Sequence, residues 1–346
     1  MTVLEQEMII SAVRERYGVG ESFARAFLDY WQGGYEKPFA SLDEILDLPA
    51  PQPVWFNFAM SANQRGQQTY QALAPHLPPG ARRYLDIGCG YGGSLVAFAR
   101  AGFEVLGIDI DDLLLGFARA NCQDHGLGEP ALHASILDDG LPVRLGSFDV
   151  ITLLAVIEHV PDVLQTLKNA LDLLAPGGIL VLDIPNKDSL EFVVHDPHYD
   201  LFGLTLLERP EAQAYFEEFF TVEYNVGDFD ELDVYQGHLR ACGYDSRLIN
   251  LASAPPGRLR SLPRRLMSLG RGYIDFLART DGRLEKSLRR AVQRRLVRYL
   301  LTLGADLFRQ PLVPSDERSF QLKYLTSIWT LMAYNRATAG ISKDSH

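Results

Sequence analysis

The 346 residues include 44 acidic and 33 basic side chains, for a formal net charge of -11, and 47% are apolar, a balance that suits a folded, water-exposed chain. A chain this long buries a full core without staples, so disulfide scaffolds, collagen-like chains and disordered chains are excluded. Cys89, Cys122 and Cys242 are odd in number, far apart and without a CxxC, so neither a disulfide framework nor a zinc site is encoded.

The opening MTVLEQEMII puts Glu5 and Glu7 where a secretory signal would be basic, and the longest apolar stretch, Val150 to Ile157, falls far short of the roughly 20 residues that cross a bilayer. The expectation is a cytoplasmic protein with no membrane span. Phe23, Phe27 and Trp31 recur at helical spacing in a first segment of short helices, followed by the proline-punctuated linker Leu48 to Pro53. A further helix from about Asn63 to Leu77 stops at Pro78 to Gly80.

The pattern then changes to strands alternating with helices. Strands are predicted at Arg83–Ile87, Glu104–Ile108, Ala131–Ser135, Phe148–Leu154 and Ile179–Ile184. Helices are predicted at Ser94–Ala101, Asp112–His125 and Val163–Leu174, lengths that imply right-handed crossovers. The fold class is therefore α/β, doubly wound around a mainly parallel sheet that is covered on both faces.

The first strand runs into YLDIGCGYGG, Tyr84 to Gly93, and directly into a helix, so Gly88, Gly90 and Gly93 satisfy GxGxxG. Such glycines let the backbone turn tightly and approach a ligand at the helix N-terminus, and by themselves they fit a dinucleotide equally well. Asp86 divides the two readings. A carboxylate two residues before the first glycine would repel a pyrophosphate but suits a ligand that carries an ammonium group. Asp109, about 20 residues after the turn, can accept both hydroxyls of a ribose, and Ile110 can lie flat against an adenine. The helix N-cap falls to Asp111 or Asp112.

With these motifs the sequence resembles the class I S-adenosylmethionine-dependent methyltransferases. SFDVITLLAVIEHVPD (Ser147 to Asp162) and LKNALDLLAPGGILVLDIPN (Leu167 to Asn186) correspond in order to that family's fourth strand with its EHV ending, and to its next helix, PGG turn and fifth strand. The resemblance implies a seven-stranded sheet and S-adenosyl-L-methionine as cofactor. It makes Asp86, Gly88, Cys89 and Gly90 the cradle of the methionine part, with Cys89 contributing backbone, and gives the ribose to Asp109 and the adenine shelf to Ile110. Leu154 would turn its main chain toward the methionine amine. Where many members have an aspartate for the adenine amino group, this chain has Ser135, followed by Ile136, with Asp138 near in the loop.

Methyl transfer from a sulfonium is an in-line displacement in which the enzyme chiefly positions the acceptor, helped by a base when the acceptor is a hydroxyl. His159, beside Glu158 where the fourth strand opens, is the candidate base. His195 and His198 flank Asp196 in the segment after the fifth strand. Because an HxxH pair in irregular chain does not put both rings on one helical face, no metal is assigned, and His198 or Tyr199 is read as contacting substrate. The helix Arg209 to Phe220 carries Tyr215, Phe216 and Phe219 on one side, read as core. Asp228 to Leu251 supplies a helix and the sixth strand, and Thr326 to Asn335 the seventh.

Charge is uneven: Arg258 to Arg298 holds 13 basic residues against Asp275, Asp281 and Glu285, so that stretch is +10 and the remainder -21. Within it, from Asp281 on, Leu284, Leu288, Val292, Leu296 and Leu300 alternate with the cationic row Lys286, Arg290, Arg294 and Arg298 along one amphipathic helix. Readings weighed for this face are a solvated surface, an anionic or carrier-bound substrate, anionic lipid, and a helical partner such as a second copy. Nucleic acid is disfavoured, because the rest of the chain is acidic and no aromatic platform is interleaved.

The organisation expected is a helical cap (1–80), a cofactor-binding core (81–251) with a lid (187–227), a basic helical insertion (252–325) and a last strand with its tail (326–346). The function expected is methylation of a small-molecule or sugar-like acceptor, on oxygen rather than nitrogen or carbon. The rivals are a nicotinamide-dependent oxidoreductase and a non-catalytic cofactor-binding module.

Overall fold

The computed structural model describes residues 3–49, 51–227, 229–249, 261–309 and 315–335. The chain opens with helices α1 (Val3–Tyr17), α2 (Glu21–Gly33), α3 (Leu42–Leu46), α4 (Gln52–Met60) and α5 (Ala62–Leu73). The α2 stripe of Phe23, Phe27 and Trp31 turns inward onto Ile9, Val13 and Phe56, and Phe117 of the following domain joins the same cluster. Part of the segment read as a linker is helical: α4 begins at Gln52 with Pro53 in its first turn, where a missing N–H costs no hydrogen bond.

The sheet follows as β1 (Arg83–Ile87), α6 (Gly93–Arg100), β2 (Glu104–Asp109), α7 (Asp112–Asp124), β3 (Ala131–His133), α8 (Leu141–Leu145), β4 (Phe148–Leu154), α9 (Val163–Asp172) and β5 (Leu174–Pro185). The seven strands lie in the order β3-β2-β1-β4-β5-β7-β6. Strands β1 to β5 pair in parallel, while β7 (Ile328–Asn335) is antiparallel to both β5 and β6 (Tyr244–Leu248). One face carries Leu85, Ile151, Leu153 and Leu182 under α9 and α12 (Leu232–Ala241); the other carries Tyr84, Val150 and Val181 under α6 and α7. Burial on both faces is why these strands read as near-continuous apolar runs. The PGG corner is part of a longer β5: Leu174 pairs with Phe148 across a register shift, with Gly177 in the left-handed region. β3 ends two residues earlier than predicted, because the Ser135 N–H turns to the Asp138 carboxylate instead of continuing the ladder.

After β5 the chain forms α10 (Leu190–Val194) and α11 (Arg209–Glu217), then returns through α12 and β6 to the long helices α13 (Leu262–Arg279) and α14 (Lys286–Arg309), and reaches β7 through α15 (Ser315–Phe320) and a π-helical turn, Gln321–Leu325. α13 is absent from the sequence-based expectation. Leu190, Tyr199, Phe202 and Phe216 of the segment after β5 form one apolar cluster with Leu269, Phe276, Val292 and Leu296 of α13 and α14. Buried Asn186 ties this layer to the sheet, its Nδ2 donating to the carbonyls of Lys323 (2.8 Å) and Thr326 (2.6 Å). Of the expected organisation, residues 1–2, 50, 228, 250–260, 310–314 and 336–346 lie outside the described residues. No helix among the described residues is long and apolar enough to cross a membrane.

Two glycines set how closely the N-terminal helices approach the sheet domain. A Cβ on Gly66 of α5 would stand 2.2 Å from the Gly93 carbonyl oxygen, and one on Gly93 would stand 2.1 Å from that of Ala62. Backbone therefore meets backbone where α6 leaves the glycine turn. Gly66→Ala should gain up to about 1 kcal/mol of helix propensity but lose about 1–3 kcal/mol to overpacking. Chemical denaturation is expected to show net destabilisation; a more stable variant would mean that the helices separate freely.

Candidate active site

The carboxyl ends of β1, β2 and β4 converge on the glycine turn. Gly88, Gly90 and Gly92 all have positive φ (72°, 50° and 73°), and a Cβ on Gly88 would stand 2.3 Å from Val156 Cγ2, so at Gly88 both the conformation and the space require glycine. The N–H groups of Gly88 (2.8 Å) and Cys89 (3.1 Å) donate to the Ile108 carbonyl, which holds the turn against β2. The Cys89 side chain is buried against Gly107, leaving its backbone to line the turn.

Asp86 lies at the floor. The Thr152 hydroxyl donates to its Oδ1 at 2.7 Å and is itself 2.6 Å from the Tyr84 hydroxyl. Burial pushes the Asp86 carboxyl up to about 7 against the lowering effect of those hydroxyls, with the Asp109 charge adding to the rise. No ion pair reaches this buried acid among the described residues, so a cationic ligand group would complete it. Asp109 ends β2: its Oδ2 accepts from Gly90 N (2.9 Å) and its Oδ1 from Asp111 N (3.0 Å), which fixes the carboxylate at the turn. Ile110, next to it, is 69% exposed, an apolar surface available to a flat ring. Asp111 is the N-cap of α7, accepting from the N–H groups of Leu113 and Leu114, and so is not available to a ligand.

The adenine end departs from the simple picture. Ser135 Oγ accepts from Leu137 N (3.1 Å), and Asp138 is engaged with Ser135 N (2.9 Å). Ile136 packs its side chain into the core at 6% exposure, and its carbonyl accepts from Asn169 Nδ2 (2.8 Å).

Beyond half-buried Leu154, Ala155 adopts φ 56°, an uncommon conformation for a residue with a side chain, and reverses the chain into Val156–His159. His159 Nδ1 lies 3.0 Å from the Asn225 carbonyl oxygen, which can only accept, so the hydrogen of this contact sits on Nδ1 and, in the neutral ring, the lone pair is on Nε2. Glu158 is buried, with Oε1 at 4.0 Å from His159 Nε2 and 3.6 Å from His198 Nε2. His198 Nδ1 is 3.7 Å from Asp196 Oδ1, an ion-pair distance too long for a hydrogen bond. Burial of the His198 ring disfavours its charge, but the Asp196 and Glu158 carboxylates outweigh it and push the ring up to about 9. Glu158, His159 and His198 each bring a ligand-type atom within 4.8 Å of the others, a spacing that shared protons suit as well as a cation does.

The HxxH pair does not come together. His195 turns outward to Asp200 (2.6 Å), while His198 meets His159 with ring centres 5.1 Å apart. Sequence reasoning missed several neighbours. Trp55 Nε1 donates to the His198 carbonyl (3.1 Å) across 143 positions, and Phe58 stands near Tyr91. The Arg65 guanidinium stacks on the Phe58 ring at 3.5 Å, and burial lowers it to about 10. Its Nη1 donates to the Phe58 carbonyl and to Ser61 Oγ (3.2 Å), and no carboxylate pairs with it among the described residues. No local spacing announces these contacts; a lone Arg in a polar helix carries no signal of its own.

Comparison with known proteins adds the chemistry. Residues 60–223 match a family model described as a methyltransferase domain. The chain is 35% identical over 119 residues to a ubiquinone biosynthesis O-methyltransferase of Methylococcus capsulatus, covering 34% of this chain and 49% of that protein. It is 36% identical over 107 residues to the protein of the same name from Aromatoleum aromaticum, covering 31% and 45%. The chain thus spans about half the length of these relatives. A crystal structure of an S-adenosylmethionine-dependent methyltransferase from Archaeoglobus fulgidus aligns at 17% identity and a TM-score of 0.40, covering 56% of this chain and 76% of that one.

Two outcomes are expected from this geometry. Asp109→Ala should weaken S-adenosylhomocysteine binding at least about tenfold in calorimetry, through loss of a charge-assisted acceptor; unchanged affinity would remove Asp109 from the cofactor site. The His198 ring has its pKa raised to about 9 from an ordinary 6.5. Its pairing therefore stabilises the fold fully below about pH 6.5 and ceases to do so as pH rises through about 9. NMR titration should place the ring near 9 and about one unit or more lower in Glu158→Gln; a native ring titrating near 6.5 would contradict the pairing.

Proposed function

We propose that this chain, a class I S-adenosylmethionine-dependent methyltransferase across residues 60–223, methylates a hydroxyl oxygen of a small molecule. When bound, S-adenosylmethionine supplies an electrophilic methyl group on a sulfonium. The residues suit that cofactor: an uncompensated buried acid at Asp86, a turn closed to any Cβ at Gly88, a fixed carboxylate at Asp109 and an exposed apolar shelf at Ile110.

The observation that carries the oxygen assignment is the contact between His159 Nδ1 and the Asn225 carbonyl oxygen. The ring's Nδ1–H is spent on Asn225, so Nε2 can take the proton from an acceptor hydroxyl as the oxygen attacks. Glu158, 4.0 Å away, then stabilises the imidazolium that forms. His198 already holds its proton, so it serves as a fixed positive charge that orients Glu158 and favours a developing oxyanion. Trp55, Phe58 and Phe220 supply apolar walls on the cap and lid, consistent with a compact acceptor shielded from water. Two relatives named as O-methyltransferases agree with the choice of oxygen.

His159→Ala is expected to lower kcat by about 10²-fold or more and to leave S-adenosylhomocysteine affinity within about twofold. Turnover is followed as the gain of one methylene mass by acceptors in a panel of hydroxylated metabolites. Wild-type turnover in the variant would reduce His159 to a structural corner.

A further inference from the structure

Helices α13 and α14 together carry 11 basic side chains and only two acidic ones, Asp275 and Asp306, in a chain whose net charge is -11. The cations divide by facing. Those turned inward are paired: Arg265 to Glu191 (3.6 Å) and Arg295 to Glu208 and Glu211 fasten the helices to the body, and Arg289 to Asp281 (2.9 Å) closes the corner between them. The two helices also bond to each other, Arg289 donating to the Leu277 carbonyl (3.2 Å) and Gln293 to the Tyr273 hydroxyl (3.1 Å).

The outward rows are different. On α13, Arg264, Met267, Arg271 and Ile274 recur at three- and four-residue spacing opposite buried Leu269 and Phe276, with Met267 58% and Ile274 66% exposed. On α14, Arg290, Arg294, Val297, Leu301 and Phe308 lie opposite buried Val292, Tyr299 and Leu303, with Leu301 70% and Phe308 84% exposed. None of the arginines in these two rows has an ion-pair partner among the described residues. Both inner faces pack on the same apolar cluster and the helices are bonded to each other, so both outer rows face away from that cluster.

We propose that this face docks on an anionic lipid bilayer. Arginines interleaved with large aliphatic side chains match a surface that offers phosphate at one depth and hydrocarbon just beneath it. A second copy pairing through the same face would set like charges against one another. A nucleic acid would leave Met267, Ile274, Val297 and Leu301 without a counterpart. A bilayer accepts both kinds of side chain, and the acidic remainder can point away from it.

The test is co-sedimentation of the full chain with vesicles of phosphatidylcholine alone, or with about a quarter phosphatidylglycerol, at low and high salt. Binding is expected on the anionic vesicles, weakened by salt, and at least about tenfold weaker on neutral ones. Arg290→Glu/Arg294→Glu should lower partitioning onto anionic vesicles by at least about tenfold, and Val297→Asp/Leu301→Asp should also weaken it. All four positions are exposed, and unchanged thermal unfolding of the variants checks that they fold. Equal binding to both vesicle types, no binding to either, or variants that bind as the parent does would each overturn the proposal. So would self-association in solution that the aspartate variants abolish.

Discussion

Glu158 and His198 come from parts of the chain that have no local reason to meet, and their pairing ties the segment after β5 to the end of β4. A buried carboxylate at the mouth of the sheet is costly without a counter-charge, and a buried imidazolium equally so; together they hold each other in place. The His198 carbonyl in turn takes the Trp55 indole hydrogen, so the same short segment joins the sheet, the lid and the N-terminal helices. His159 inherits its setting from this arrangement, because Glu158 binds Gly227 through its carbonyl (2.7 Å) while Asn225, two residues earlier, fixes the His159 ring.

The sheet was legible in the sequence because its physics is local. β1, β2 and β4 are buried on both faces and so appear as apolar runs, and the glycine turn declares itself through the spacing of Gly88, Gly90 and Gly93, the first two of which reach positive φ. Asp86, Asp109 and Ile110 followed from their distance to that turn. The second half of the site was not legible in the same way. Trp55, Arg65 and Asn225 matter only through tertiary contacts, and nothing in their neighbours' spacing marks them.

The misreadings have physical causes. A row spaced by four residues drifts about 40° at each step on a helix of 3.6 residues per turn. Leu284, Val292 and Leu296 are accordingly buried, but Leu300 has rotated to 39% exposure and Tyr299 and Leu303 take over the inner face. The helix itself starts at Lys286, five residues later than read, because Asp281 to Glu285 turn the corner from α13. α13 was obscured by Pro263, Gly270 and Gly272, yet Pro263 sits in the first turn, where it is tolerated, and Gly272 is where Phe202 and Val194 press closest.

The antiparallel insertion of β7 between β5 and β6 has a wider consequence. Because Leu248 and Leu331 are register partners, everything between them is topologically the loop of an oversized hairpin, rooted at neighbouring points on the sheet. Lengthening such a loop costs chain entropy only logarithmically, so a whole helical module can be grafted there without disturbing the strands that carry it. Its roots lie at the rim where β1, β2 and β4 also end, which makes this junction a natural place for evolution to exchange attachments while the catalytic half stays unchanged.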